Sequence, residues 1–314
     1  MHYRIPYGRN TLTFSLPDNR PVVVIEAPNP PPAPDPTAAV QSALDHLLGG
    51  LSWDAFRAAR SAAVAVNDKT RPVPHAVLLP PLLAKLNAAG IPDAAITIYL
   101  AVGTHPPMTA EEFGEVIPPE ILARCRVISH DSEDPARLVC LGQTRRGTPV
   151  WVNQEYYQAD LKIVVGNIEP HQFAGFSGGV KTAAVGLAGI ETINANHSLL
   201  AHPDSRLGEY ETNPTRLDIE EIGAAMGVHL ALNAVLNGER EIISVLAGDP
   251  REVMRQGVPL SRQACQAGVP RACGLVIASP GGHPKDINVY QAQKALAHAA
   301  RVAAPGAALI LAAA

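Results

Sequence analysis

The chain has 314 residues, of which 47% are hydrophobic and 17% charged, and its formal net charge is -4. This length and apolar content allow a large core and two domains, while no basic cluster suggests binding to nucleic acid or to a membrane surface. No apolar run approaches the roughly 20 residues that span a bilayer, no signal-peptide core is evident, and the four cysteines form no C-x-x-C pair, so we expect a reduced, cytoplasmic protein.

In chain order, the hydrophobic pattern predicts strands that alternate with helices. The predicted strands cover residues 21–26, 62–66, 95–102, 126–129, 148–152, 161–165, 228–236, 241–246, 275–278 and 307–311. The predicted helices cover residues 37–48, 52–60, 74–89, 191–200, 214–226, 251–267 and 287–302. Such alternation predicts an α/β fold with mostly parallel sheets. We expect two Rossmann-like domains, a cofactor-binding domain at 1–268 and the start of a second at 269–314, with a ligand cleft between them.

Polar segments follow several of the predicted strands. The residues concerned are Asp68, Lys69, Thr70 and Arg71 after the strand at 62–66, His105 after 95–102, and His171 after 161–165. The loop at 279–282 follows a further strand and leads into the helix that carries Tyr290, Gln291 and Lys294. Ligands of open parallel sheets bind outside the carboxyl ends of the strands, so these segments predict one shared site. Taken singly, each has a plain structural interpretation as a polar turn, a capping or packed histidine, or a solvated helix face.

The stretch at 167–198 is the most unusual part of the sequence. It places Lys181 among five glycines and contains no charged residue between Glu169 and that lysine. A phosphate loop is one interpretation, although Val180 stands where that motif has glycine. A zinc site formed by His171, His197 and His202 is another, although the last two are five residues apart and diverge on a helix.

A third interpretation is a family resemblance carried by four motifs. They are N-D-x-T-R-P at 67–72, G-T-H at 103–105, E-P-H-x-F-A-G-F-S-G-G-x-K at 169–181 with Asn-His sixteen residues after its lysine, and Y-Q-x-x-K at 290–294. In this order and spacing, they resemble the nickel-pincer nucleotide-dependent lactate racemase family over nearly the whole chain. The sequence departs from the family pattern at Val180, where arginine is frequent, and at Val185, which replaces proline before Gly186.

The resemblance implies a 2-hydroxy acid racemase or epimerase with a role for each motif. His105 and His171 would be the catalytic bases, Lys181 would tether the nickel-pincer nucleotide, and His197 would bind nickel. Residues 68–71 would contact the cofactor, and Arg71 would also bind substrate with Tyr290, Gln291 and Lys294. The implied partners are a 2-hydroxy acid and the enzymes that make the cofactor, and a homo-oligomer is allowed. Because family members continue past Ala314, we expect the second domain to be incomplete.

The chemistry of such a reaction explains why these residue types are needed. A histidine is far too weak a base to remove a proton from C2 beside an ionised carboxylate. Removal of the hydroxyl proton, with transfer of the C2 hydrogen as hydride to a cofactor, avoids the carbanion. Two functional alternatives remain at this point: a zinc-dependent hydrolase using His171, His197 and Asp68, and an inactive relative that binds a nucleotide or hydroxy acid.

Overall fold

A computed structural model describes residues 1–71, 73–283 and 285–314, without the side chain of Tyr290. The strands are β1 His2–Tyr7, β2 Asn10–Ser15, β3 Ala62–Asn67, β4 Ile96–Ala101, β5 Arg126–Ser129, β6 Leu138–Gln143, β7 Pro149–Asn153, β8 Leu161–Asn167, β9 Pro170–His171, β10 Gly175–Phe176, β11 Leu230–Leu236, β12 Ile242–Gly248, β13 Cys273–Ala278 and β14 Ala303–Leu311. The helices are α1 Pro36–Asp45, α2 His75–Ala88, α3 Pro119–Leu122, α4 Gln154–Gln158, α5 Lys181–Ala184, α6 Ile190–Ser198, α7 Pro214–Met226, α8 Pro250–Cys265 and α9 Val289–Ala300. The chain divides into two units, one formed by Pro28–Cys265 and the other by Met1–Ala27 with Gln266–Ala314.

A six-stranded sheet organises the larger unit, with the strand order β12-β11-β8-β3-β4-β5. Every neighbouring pair is parallel except β11 and β12, which run antiparallel. The predicted α/β fold with a mostly parallel central sheet is therefore confirmed. The strand predicted at 148–152 lies outside this sheet, because β7 pairs antiparallel with β6 in a separate ribbon.

The two faces of the sheet explain why its strands read as continuous apolar runs. In β3, Val64 and Val66 belong to one buried cluster, with the leucines of α2, while Ala63 and Ala65 belong to a second cluster, with Ile222 of α7. Side chains alternate between faces along a strand, so a strand covered on both faces is apolar at every position. All seven residues of β8 are buried for the same reason.

The smaller unit contains an antiparallel hairpin of β1 and β2, a parallel pair of β13 and β14, and α9. The amide of Gly8 in the hairpin turn donates to Asp286 Oδ2 at 2.7 Å, and the amide of His283 donates to the Gly8 carbonyl at 2.8 Å. These bonds join the first residues to residues beyond 266, whereas the sequence placed residues 1–27 in the first domain. The second Rossmann-like domain and the cleft stay predictions.

Two local predictions near the start of the chain were wrong. Residues 21–26 form no strand, and the side chains of Val22 to Ile25 are exposed by 38% to 63%. The β-branched pattern satisfied strand propensity, but a strand also needs a partner for its backbone, and the flanking prolines limit such pairing. The helix predicted at 52–60 shortens to a 3₁₀ turn at Trp53–Phe56. No helix in the described part of the chain is long and apolar enough to cross a membrane.

Candidate active site

The polar turn after β3 is built around Asp68, whose side chain is buried. Its Oδ1 accepts hydrogen bonds from the Thr70 amide at 3.2 Å and the Thr70 hydroxyl at 2.6 Å. The Asp68 carbonyl accepts from the Arg71 amide at 3.1 Å. The turn therefore fixes the Asp68 carboxylate at the carboxyl edge of the sheet, and the Thr70 side chain stabilises the turn by its hydrogen bond to that carboxylate.

Asp68 also contacts the first predicted base. His105, in the loop after β4, places Nδ1 2.6 Å from Asp68 Oδ2, while about half of the His105 side chain is exposed. Burial alone would raise the pKa of Asp68, but the hydrogen bonds from His105 and Thr70 outweigh it and lower the pKa below its ordinary value. An ionised carboxylate bound to Nδ1–H leaves Nε2 as the acceptor nitrogen of the imidazole.

Lys69 and Arg71 flank this turn in different environments. Lys69 forms ion pairs with Glu112 and, at 3.8 Å, with Glu115, so its side chain is directed toward the 3₁₀ helix at Ala110–Glu115. A cofactor contact by Lys69 stays a prediction, and it would compete with these carboxylates. Arg71 instead lies near enough to Lys181 for its charge to act on that amine.

Three aromatic rings connect the second predicted base with the predicted nickel ligand. The rings of His171 and Phe173 pack edge to face with centroids 4.8 Å apart, and those of Phe173 and His197 lie 4.9 Å apart. The Ala174 amide donates to His171 Nδ1 at 3.2 Å, which fixes the ring on the β9–β10 turn. Phe173 thus holds both histidines, a role that the sequence did not reveal.

His197 carries a buried nitrogen with no hydrogen-bond partner among the described residues, Nδ1. Burial lowers the pKa of His197 to about 4, and the positive charge of Lys181 contributes in the same direction. The Ile193 backbone opposes part of this shift. The imidazole is therefore neutral at physiological pH, which is the state that binds metals.

Lys181 opens α5, and its amine lies among several charged side chains. Its pKa is lowered to about 7, chiefly by burial and then by the positive charges of Arg71 and Arg216, while Glu169 and Asp68 offset part of the effect. Residues that are far apart in sequence are thus brought together: the turn after β3, the start of α5 and the end of α6. An appreciable fraction of the amine is unprotonated near neutral pH and is available as a nucleophile.

The glycines before Lys181 are required by the protein's own packing. Gly175, Gly178 and Gly179 have φ of +72°, +85° and +56°, a region that favours glycine. A Cβ on Gly175 would lie 1.7 Å from the Glu209 carbonyl oxygen. Val180, one of the departures from the family pattern, is buried in a notch at Gly223, where an added Cβ would lie 2.4 Å from the valine Cβ. A charged side chain at position 180 would lose this packing.

Comparisons with known proteins identify the family. Residues 7–208 match the model of the lactate racemase N-terminal domain. The chain belongs to the lactate racemase family. The lactate racemase of Lactiplantibacillus plantarum is 31% identical over 98% of this chain and 73% of its own length. That of Thermoanaerobacterium thermosaccharolyticum is 30% identical over the same shares.

Solved structures extend the similarity to the fold. The lactate racemase apoprotein from T. thermosaccharolyticum superimposes with a TM-score of 0.91 at 28% identity, covering 99% of this chain and 74% of the other. A Thermotoga maritima protein shares the fold alone, with a TM-score of 0.62 at 21% identity over 77% of this chain and 62% of its own.

The predicted substrate-binding residues of this family member lie on α9, in the smaller unit. Lys294 Nζ donates to Gln291 Oε1 at 2.6 Å, and the Gln291 amide donates to Asn288 Oδ1 at the start of the helix. Tyr290 belongs to the same helix, and its side chain lies outside the described residues. The contribution of these three residues to the site stays a prediction.

The geometry of the described residues does not support a zinc-dependent hydrolase. Among the residues that the structure describes, no group of three or more His, Cys, Asp or Glu side chains is placed to hold a metal ion. His202 Nδ1 accepts from the Asp204 amide at 3.1 Å, and its side chain is half exposed. Asp68, the third ligand of the hydrolase alternative, is engaged with His105.

Proposed function

We propose that this chain racemises lactate or a similar 2-hydroxy acid, using a nickel-pincer nucleotide attached to Lys181. The observation that carries the proposal is the order β8-β3-β4 in the sheet. It places the loops of His171 and His105 on either side of the turn that holds Asp68 and Arg71. The naming of its relatives as lactate racemases supports the same activity.

The residues near Lys181 fit the cofactor. An amine with a pKa of about 7 suits covalent attachment, since it need not be deprotonated at great cost. The unpartnered Nδ1 of neutral His197 suits a nickel ion, which favours imidazole nitrogen. The turn at 68–71 would contact the nucleotide. When bound, the cofactor supplies an electrophilic carbon that accepts hydride from C2 of the substrate and returns it.

The two histidines would move the hydroxyl proton. The hydroxyl groups of the two enantiomers point in opposite directions when the carboxylate is held in one place, so each needs its own base. His105 would act through Nε2, with its tautomer fixed by Asp68. His171 would serve the other enantiomer, with its ring held by Phe173. Each histidine would take the proton from one enantiomer and return it when that enantiomer is formed.

The substrate carboxylate needs a cation throughout this cycle. Arg71 is placed at the strand edge for this role, and its planar guanidinium can donate two parallel hydrogen bonds to a carboxylate. Lys294, with Gln291 and Tyr290, would complete the clamp from α9. The cellular setting proposed is the cytoplasm, where the cofactor-making enzymes would be partners.

Isotopic labelling tests the reaction directly. Chain produced with the cofactor-making enzymes is given lactate deuterated at C2 in ordinary water, and the deuterium of the product enantiomer is measured. Because histidines that act on the hydroxyl leave the C2 hydrogen as hydride, most of the label should be retained. Loss of label at the rate of racemisation would refute hydride transfer, and no racemisation by chain that carries the adduct would refute the activity.

A further inference from the structure

Arg216 is a completely buried cation that belongs to none of the sequence motifs. Its Nε and Nη2 donate to Glu220 Oε1 at 2.8 and 2.5 Å, and its Nη1 donates to the carbonyls of Phe176 and Gly178 at 3.2 and 3.1 Å. The guanidinium carbon also lies 5.1 Å from the ring centroid of Tyr210. One side chain of α7 therefore binds two carbonyls of the glycine loop, here defined as residues 175–179.

The contact continues directly to Lys181. The Gly178 carbonyl that accepts from Arg216 also accepts from the Lys181 amide, at 3.4 Å. On the other side of the loop, the Gly179 amide donates to Asn233 Oδ1 at 2.7 Å. A Cβ on Gly179 would lie 2.9 Å from Arg216 Nη2, so the loop is shaped against the guanidinium. The backbone from which Lys181 extends is thus fixed by two buried side chains.

Stability of the fold does not account for this arrangement. A buried ion pair often contributes no more than a packed hydrophobic pair of similar volume, because both charges lose their hydration. Arg216 also lies in the first turn of α7, where the helix dipole disfavours a cation. Unlike a hydrophobic residue, an arginine at this position can bind two inward-facing carbonyls and a carboxylate at once.

We propose that Arg216 is a positioning residue that fixes the glycine loop through the Gly178 carbonyl and so presents Lys181 for covalent attachment of the cofactor. The inference rests on the proposed function for the identity of the attached group. The positioning of Lys181 by the loop is a property of the cofactor-free chain and is tested separately.

The first experiment measures amide hydrogen exchange in the cofactor-free chain. Arg216→Lys keeps the charge, but its single nitrogen cannot replace Nη1 at both carbonyls while also taking the place of Nε and Nη2 at Glu220. We expect the amides of 177–181 to exchange at least about tenfold faster, the loss that corresponds to about one hydrogen bond. The control is a substitution of Ile222, which is buried on the same helix. Of Ile222→Val and Ile222→Ala, the variant whose Tm falls by the same amount as that of Arg216→Lys is used. It should raise exchange in the glycine loop no more than elsewhere in the larger unit.

The second experiment measures attachment. Wild type, Arg216→Lys and the Ile222 control are each produced with the cofactor-making enzymes, and the fraction carrying an adduct on the Lys181 peptide is determined by mass spectrometry. We expect Arg216→Lys to lose most of the adduct, by about fivefold or more for a loop bond of this strength, while the control keeps the wild-type fraction. If Arg216→Lys does not fold, Glu220→Gln takes its place, with a smaller change in the same direction.

The outcomes separate the two proposals. Equal exchange and equal adduct fractions in Arg216→Lys and the Ile222 control would overturn the role of Arg216. Wild-type chain without any adduct would overturn the proposed attachment, while the exchange of 177–181 would still decide whether Arg216 fixes the glycine loop. Faster exchange together with an unchanged adduct fraction would overturn the link between loop geometry and attachment.

Discussion

Replacement of Asp68 by asparagine is the sharpest test of how His105 is prepared for proton transfer. The carboxylate is 5% exposed and contacts Nδ1 of His105 at 2.6 Å. Asparagine has nearly the same shape but no charge, and its amide can either accept from Nδ1–H or donate to unprotonated Nδ1. The variant therefore loses both the charge and the control over which ring nitrogen carries the proton.

The expected size of the effect follows from the type of bond. A hydrogen bond to a charged group contributes about 1.5–3 kcal/mol, and each 1.36 kcal/mol is a factor of ten in rate. Asp68→Asn should therefore lower kcat/KM by roughly 10- to 150-fold. Thr70→Val is the control, because it removes the 2.6 Å hydrogen bond to the opposite oxygen, Oδ1, and keeps the charge beside His105. Its effect should be smaller.

The assay is single-turnover conversion of each enantiomer to bound keto acid, in chain loaded with cofactor. Asp68→Asn should slow the half-reaction from one enantiomer far more than that from the other, since only one of them uses His105. Because the pKa of Asp68 is lowered in the fold, its contribution to stability is present above its unfolded pKa and lost as the pH falls through the folded value. The stability difference from wild type should therefore disappear in acid. Equal slowing from both enantiomers would refute the pairing of Asp68 with one base.

Three further predictions concern the cations and the attachment. Lys181→Met should raise the Tm of the cofactor-free chain, and the rise should be larger at pH 6 than at pH 9. Folding lowers the pKa of Lys181 from 10.5 to about 7, so the free-energy cost of burying the charged amine is full below pH 7 and shrinks as the pH approaches 10.5. Each kcal/mol of that cost that the substitution removes should raise the Tm by about 2–4 °C. An equal rise at both pH values would contradict the lowered pKa. Arg71→Met should lower kcat/KM by roughly 10- to 150-fold through loss of a charge-assisted bond to the carboxylate, and unchanged kinetics would remove Arg71 from the site. In chain made with the cofactor, the added mass should map to the Lys181 peptide and be absent in Lys181→Met, whereas an adduct on another lysine would contradict the attachment.

The sheet and its functional edge were predictable from the sequence because they depend on local patterns. Strands buried on both faces are continuous apolar runs, and β3, β4 and β8 were found within one or two residues for this reason, with the polar turn of Asp68 and the loops of His105 and His171 after them. The pairing of Asp68 with His105 was not predicted. It depends on the adjacency of β3 and β4, which periodicity alone does not provide.

The hairpin of β1 and β2 was missed for a different reason. Tyr3 and Ile5 in β1, and Leu12 and Phe14 in β2, do alternate with polar residues, but the strands are short and mostly exposed and were not assigned. The two strands pair with each other around the turn at Gly8. Residues 21–26 are richer in β-branched residues than the hairpin, but their backbone forms no strand pairing with another segment. Strand propensity describes how a side chain fits a pleated surface, and it does not provide a partner for the backbone.

The inward orientation of Arg216 and its ion pair with Glu220 could not be predicted from the sequence. Their spacing of four residues on a predicted helix indicates an ion pair, and such a pair is normally assigned to a solvated face. Only the fold shows that Arg216 points inward and that its remaining donors meet the carbonyls of Phe176 and Gly178. The positive φ of three glycines in this loop lets its backbone turn those carbonyls toward the Arg216 guanidinium.

The balance of charge in the site indicates what kind of ligand completes it. Asp68 is engaged by His105 and Glu220 by Arg216, whereas the side chain of Arg71 forms no hydrogen bond within the described part of the chain. The guanidinium of Arg71 lies near a second cation, Lys181, whose charge Glu169 and Asp68 offset only in part, so an anionic ligand would stabilise both cations. The proposed covalent attachment would turn the Lys181 amine into a neutral group and remove one of the two charges. Arg71 would then remain at the strand edge to bind the carboxylate of the substrate.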